Sequence, residues 1–198
     1  MPSLPSLIMR HASELPEGSL LCPSALLHLG SRSAVDQALS RLARSEQLNR
    51  VCQGVYVRPI ETRFGSRPPA VDKVIESLSS LWGETIVSSG GAAANALGLS
   101  TQVPVRSVYL TSGPSRTLMF GEQEVILRHA PRWQLVAPHR VIGDAIRALA
   151  WMGSEEVGEN LEAISKKLSS DELDELAAWR AVMPAWFAEP VSDMVANG

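Results

Sequence analysis

Between Ser31 and Val57 the chain changes its hydrophobic periodicity once, and that switch constrains the fold more than any other feature. Val35, Ala38, Leu39 and Leu42 fall at i, i+3, i+4 and i+7. This spacing predicts one buried stripe on an amphipathic helix, with Ser31 or Ser33 placed as its N-cap. Past Ser45-Glu46 the pattern turns to alternation through Leu48, Arg50 and Val51, then Val55, Tyr56 and Val57, with Cys52-Gln53-Gly54 between the two runs. Alternation broken by such a tripeptide predicts a β-hairpin in which Gly54 supplies a positive φ.

Upstream, Leu4, Leu7, Ile8 and Leu15 predict a first short helix that Pro16-Glu17-Gly18 ends. Ser19 to Cys22 reads as extended, and Pro23-Ser24 opens a second short helix that stops near Gly30. Helix, short helix, amphipathic helix and hairpin in that order predict a winged helix-turn-helix over residues 1–60, centred on Gly18 to Arg58. Residues 61–69, rich in Gly and Pro and without periodicity, read as a linker.

The remainder, residues 70–198, predicts an α+β domain with a mixed or antiparallel sheet and a helical C-terminal end. Its expected elements are a helix over Val71–Trp82, a strand at Thr85–Val87 and a short helix at Ala92–Leu97. Three strands at Val105–Thr111, Thr117–Phe120 and Glu124–Arg128 follow. The end is read as helices at Val141–Met152, Glu156–Leu168, Asp171–Met183 and Trp186–Val195. The fold class expected of the whole chain is therefore α+β.

The net charge of −3 is at first sight wrong for a protein that binds nucleic acid. It is distributed unevenly: residues 1–67 hold eight arginines against five acids, 68–153 seven bases against six acids, and 154–198 three bases against ten acids. Such asymmetry suggests a basic nucleic-acid face at one end and a different task at the other. Apolar runs fall short of the roughly 20 residues a spanning helix needs, and the N-terminus lacks the basic-then-apolar order of a secretory signal, so no membrane partner and a cytoplasmic location are expected. Cys22 and Cys52, two in number and without C-x-x-C spacing, read as reduced structural thiols.

The face opposite the buried stripe carries the candidate chemistry. Arg32, Ser33 and Gln37 occupy the N-terminal part of the helix, where side chains of a recognition helix reach base edges; Arg pairs bidentately with guanine and Gln with adenine. Arg41 and Arg44 lie further along, suited to phosphates, and Arg50 and Arg58 on the hairpin suit an adjacent backbone. Ser88 to Asn95 is a small-residue stretch between a strand and a helix. It lacks G-x-G-x-x-G order and a following Lys-Ser or Lys-Thr, so close helix packing is preferred over phosphate binding. His11, His28, His129 and His139 show no ligand spacing, the acidic pairs after Ser154 read as solvated helix surface, and Trp151, Trp179 and Trp186 with Phe187 read as core. No catalytic residue, metal or cofactor is expected.

Two stretches carry a family resemblance. Gly30 to Leu42 followed by Leu48 to Tyr56 resembles the N-terminal winged helix of the AbiEi family of type IV antitoxins from abortive-infection systems. Gly90-Gly91-Ala92-Ala93-Ala94-Asn95-Ala96-Leu97-Gly98-Leu99-Ser100-Thr101-Gln102-Val103-Pro104, with Val108 to Gly113, resembles the hallmark of that family's second domain. The resemblance implies a non-enzymatic repressor that binds repeats in its own promoter on double-stranded DNA and counteracts a nucleotidyltransferase-like AbiEii toxin, not necessarily through a stable complex. By carry-over it places DNA contact on Arg32, Gln37, Arg41 and Arg50. The hallmark positions Gly90, Asn95, Leu97, Gly98, Ser100, Thr101, Gln102 and Pro104 read as structural. A general winged-helix regulator, or an interaction module whose second domain holds a partner or small ligand, is the alternative expectation.

Overall fold

The computed structural model describes residues 2–102 and 106–197. The first half runs α1 (Leu4–Glu14), β1 (Leu20–Leu21), a 3₁₀ turn (Pro23–Leu26), α2 (Arg32–Arg44), β2 (Asn49–Cys52), β3 (Val55–Val57), β4 (Ile60–Thr62), β5 (Gly65–Arg67) and α3 (Val71–Trp82). There follow β6 (Ile86–Ser88), α4 (Gly90–Ala96), β7 (Ser107–Thr111), β8 (Arg116–Phe120), β9 (Gln123–His129) and a 3₁₀ turn (Arg132–Gln134). The chain closes with α5 (Val141–Met152), α6 (Val157–Ser165), α7 (Ser170–Trp179), a 3₁₀ turn (Arg180–Val182) and α8 (Ala185–Asn197). The fold is α+β with a helical C-terminal end, as the periodicities require. No helix among the described residues is long and apolar enough to cross a membrane.

Two compact units are present: Met1–Glu84 with Arg116–Ile126, and Thr85–Ser115 with Leu127–Gly198. In the first, α1, the 3₁₀ turn and α2 enclose a core of Ile8, Leu21, Leu26, Val35, Leu39, Leu42, Leu48 and Tyr56 with the three-stranded sheet β1-β3-β2. The α2 stripe is wholly buried. Ser31, not Ser33, is the N-cap, its Oγ accepting from Ala34 N–H at 3.4 Å. In the hairpin, Asn49 pairs with Val57 and Arg50 with Tyr56 before the register jumps to Cys52 and Val55, leaving a bulge at Val51; Gly54 turns the chain at φ +73°. This arrangement is compatible with a winged helix-turn-helix.

The boundary between units differs from the one the breakers suggest. Residues 61–69 hold most of a second antiparallel hairpin, β4–β5, with Ile60 opposite Arg67 and Thr62 opposite Gly65. Helix α3, expected to open the second domain, belongs to the first unit. Two contacts tie it there. Gly18, at φ +85°, approaches α3 so closely that a Cβ would lie 2.7 Å from Lys73 Cβ. Glu17 accepts from Lys73 Nζ at 2.7 Å, from Ala70 N–H at 3.0 Å and from Arg67 at 3.3 Å. Arg116 at the start of β8 pairs with Glu84 and stacks over Trp82 at 4.0 Å, holding that strand to the same unit.

The second unit contains β6 and β7, antiparallel with Val87 opposite Leu110. Leu127–His129, the end of β9, also belongs to this unit, and Ala130 N–H just after it donates to the Thr111 carbonyl at 3.0 Å. Helices α5 to α8 share a core that includes Ile142, Ile146, Leu149, Leu161, Ile164, Leu176 and Phe187. Phe187 is fully buried against Trp133 and Trp186 in edge-on and tilted ring contacts, whereas Trp151 stands half exposed. Helix α6 ends at Ser165, short of the expected Leu168, and α7 gives way to a 3₁₀ turn after Trp179. A capping box starts α7: Ser169 Oγ accepts from Glu172 N–H, and the Glu172 carboxylate accepts from Ser169 N–H.

Candidate nucleic-acid interface

Burying Val35, Ala38, Leu39 and Leu42 forces the remaining α2 positions outward, so the helix itself builds the site. Asp36, Gln37, Ser40, Arg41 and Arg44 line a shallow depression of about 310 Å³ on its outer face. Arg41 and Arg44 stand in the last turn, where cations also complement the negative end of the helix dipole. Arg32, in the first turn, lies along the helix with its Nε 3.1 Å from Asp36 Oδ2. Both side chains of that pair are about half exposed or more, and exposed pairs are worth about 0–1 kcal/mol, so a stronger anion can displace the carboxylate. Ser33 is exposed at the same end, its hydroxyl 3.4 Å from that of Ser31.

The hairpin arginines behave differently from one another. Arg50 is exposed on β2, its Nε donating to the Cys52 carbonyl at 3.4 Å. Arg58 is half-buried and donates from Nε to the Ala12 carbonyl at 3.0 Å, satisfying one of the acceptors that the end of α1 leaves open. The structure thus gathers Gln37, Arg41 and Arg44, leaves Arg32, Ser33 and Arg50 exposed nearby in sequence, and engages Arg58 with α1. The i, i+4 spacing of Arg32 and Asp36 already signals their pair. Cys22 and Cys52 are free and half-buried, and burial pushes both thiols up from their ordinary range, away from nucleophilic thiolate.

The hallmark string of the second unit resolves into packing and loop closure. At Gly90 an added Cβ would sit 2.4 Å from both the Arg147 carbonyl oxygen and Trp151 Cβ, so only glycine lets α4 lie this close to α5. Ser89 caps α4. Gly98 ends the helix region at φ +67°, with Leu99 N–H returning to the Ala94 carbonyl at 2.8 Å. Asn95 Nδ2 donates to the Gln102 carbonyl at 3.1 Å, and Ser100 Oγ accepts from Gln102 N–H at 3.1 Å. Leu97 and Leu99 pack partly buried against the helical core, and Thr101 is exposed. Pro104 lies outside the described residues.

A second concavity, about 570 Å³, belongs wholly to the second unit. Thr85, Ser112, His129 and Arg132 supply its polar lining and Leu135, Val136 and Pro138 much of the apolar one. Ala137, which also lines it, adopts a positive φ, as does His139 two residues on. Among the described residues, no group of three or more His, Cys, Asp or Glu side chains is placed to hold a metal ion.

Comparison with protein families aligns residues 8–176 with a family of unknown function, DUF6088. The chain belongs to this family. The aligned stretch takes in the face of α2, both hairpins and the Gly90–Gln102 segment. Neither the curated proteins nor the solved structures contain a match.

Proposed function

We propose that this chain is a cytoplasmic DNA-binding repressor that acts as the antitoxin of a type IV toxin–antitoxin system, without a reaction of its own. The observation that carries the DNA-binding part is the outer face of α2, where Gln37, Arg41 and Arg44 surround one depression and no buried function competes for them. In this reading the first unit is a winged helix-turn-helix and α2 lies in the major groove of double-stranded DNA. Arg32, Ser33 and Gln37 meet base edges, Arg41 and Arg44 meet phosphates, and Arg50 meets the adjacent backbone. Occupying its own promoter then represses transcription. The antitoxin part draws on the resemblance of the Gly90–Pro104 string to AbiEi proteins, with a nucleotidyltransferase-like AbiEii toxin as the functional counterpart. The 570 Å³ concavity supports a second reading, a regulator whose second unit holds a small ligand.

The test is a mobility-shift titration on the DNA upstream of the chain's own gene. Arg32→Ala with Gln37→Ala lowers affinity for that DNA over unrelated duplex, each lost base contact costing about 1–3 kcal/mol, whereas Arg50→Ala weakens binding to all sequences. Unchanged titrations for both variants would overturn the assignment. A toxin-like reading frame beside the gene, and its neutralisation by this chain in growth assays, tests the antitoxin part.

A further inference from the structure

The β4–β5 hairpin is poorly explained as a structural element. Its strands have three residues each, and every residue from Glu61 to Arg67 is exposed, whereas a two-stranded hairpin alone is marginal in water. Its turn is nevertheless fixed. Thr62 faces Gly65 across the register, and its Oγ1 donates to the Gly65 carbonyl at 2.7 Å and accepts from Phe64 N–H at 3.2 Å.

That register leaves Arg63 and Phe64 as a two-residue tip. Tips of this length commonly take Asn-Gly or Asp-Gly, because the favoured turns need positive φ within the loop. Here the positive φ, +113°, falls on Gly65, and the two tip residues keep ordinary backbone conformations that tolerate large side chains. Phe64 is 85% exposed, against 50% or less for the other exposed large apolar side chains among the described residues. Singly exposed apolar residues are ordinary on any surface; what sets Phe64 apart is the combination of its exposure, a turn pinned by Thr62 and a cation held over its ring. Arg63 holds its guanidinium 4.6 Å from the centre of that ring, and no described carboxylate forms an ion pair with it.

An apolar wedge presented beside a cation matches what proteins insert between base steps from the minor groove, where partial unstacking bends the duplex toward more contact. We propose that the β4–β5 hairpin is a second wing, with Phe64 entering a base step from the minor groove of the duplex held by α2. Arg63 leaves the ring face for a neighbouring phosphate. This inference rests on the DNA-binding reading. Charge favours a nucleic acid over a protein occupant: α2 carries Arg32, Arg41 and Arg44 against Asp36, and the hairpin carries Arg63 and Arg67 against Glu61.

The experiment uses the full chain and a duplex from immediately upstream of its own gene, with single adenines replaced in turn by 2-aminopurine, whose fluorescence rises when a base unstacks. Wild-type protein and Phe64→Leu raise the signal at one or two positions. Phe64→Ala abolishes the rise and weakens binding roughly 5- to 100-fold, the scale of one base–aromatic stack. Because Phe64 is exposed, its melting temperature stays that of wild type. If Arg41→Ala weakens binding while Phe64→Ala binds equally well and leaves fluorescence unaltered, the wedge is refuted and DNA binding by α2 stands. If the wild-type chain binds neither this duplex nor bulk duplex at low salt, both readings fall.

Discussion

Replacing Gly90 by alanine probes the contact between α4 and α5 directly. The new Cβ would lie 2.4 Å from the Arg147 carbonyl oxygen and 2.4 Å from Trp151 Cβ, where unstrained carbon contacts sit near 3.5–4.0 Å. Neither neighbour is the flexible end of a side chain, so the helices must part by about an ångström, loosening the small-residue packing of Ala93, Ala94 and Ala148. Overpacking of this kind costs about 1–3 kcal/mol or more, and the gain in helix propensity, at most about 1 kcal/mol, is reduced because Gly90 is the first residue of α4. The expected net loss is about 1–3 kcal/mol. For a chain of this size that lowers the melting temperature by roughly 2–4 °C per kcal/mol. Gly158 in α6 provides the internal control: it is exposed, nothing lies within 4 Å of its missing Cβ, and Gly158→Ala should stabilise by up to about 1 kcal/mol. Thermal unfolding of the full chain followed by circular dichroism reads both. Shifts of the same sign, or a Gly90→Ala protein that melts like wild type, would refute the reasoning.

Two further predictions concern charge. Hydrogen bonds from Lys73 and from Ala70 N–H, with Arg67 nearby, hold the Glu17 carboxylate down at about 2. A depressed folded-state value stabilises fully above the usual carboxylate range and is lost as pH falls toward 2. Glu17→Gln should therefore flatten the dependence of urea midpoint on pH across that window; an unchanged profile would show that Glu17 does not anchor α3. Asp36→Asn removes the carboxylate from the α2 face and frees Arg32, so affinity for any duplex should rise, by up to about fivefold if the exposed pair is worth up to 1 kcal/mol. Weaker binding would place Asp36 among the base contacts.

Much of the first unit was legible because its signals are local. The buried stripe of α2, the Gly54 turn and the extent of α3 follow from spacings within one element, and the outward Gln37, Arg41 and Arg44 are the geometric complement of that stripe. What escaped sequence reading depends on distant partners. The engagement of Arg58 by the Ala12 carbonyl joins residues 46 apart, and the Glu17 cluster that brings α3 into the first unit joins residues 50 to 56 apart. The β4–β5 hairpin escaped for another reason: its strands are short and polar, and Gly65 and Pro68-Pro69 give the stretch the composition of a linker. Gly90 was visible as part of a small-residue string, but the identity of what it packs against, the backbone of α5, was not.

The central claim is that the outer face of α2 holds duplex DNA through its arginines. Fluorescence anisotropy of the full chain on the upstream duplex, titrated at rising salt for wild type and for Arg41→Ala with Arg44→Ala, measures it most directly. Each phosphate contact contributes about 0.9 to the slope of log affinity against log salt, so the double variant should bind more weakly to specific and unrelated duplexes alike, with a slope shallower by about 2. Equal affinity and equal slope for the two proteins would contradict it.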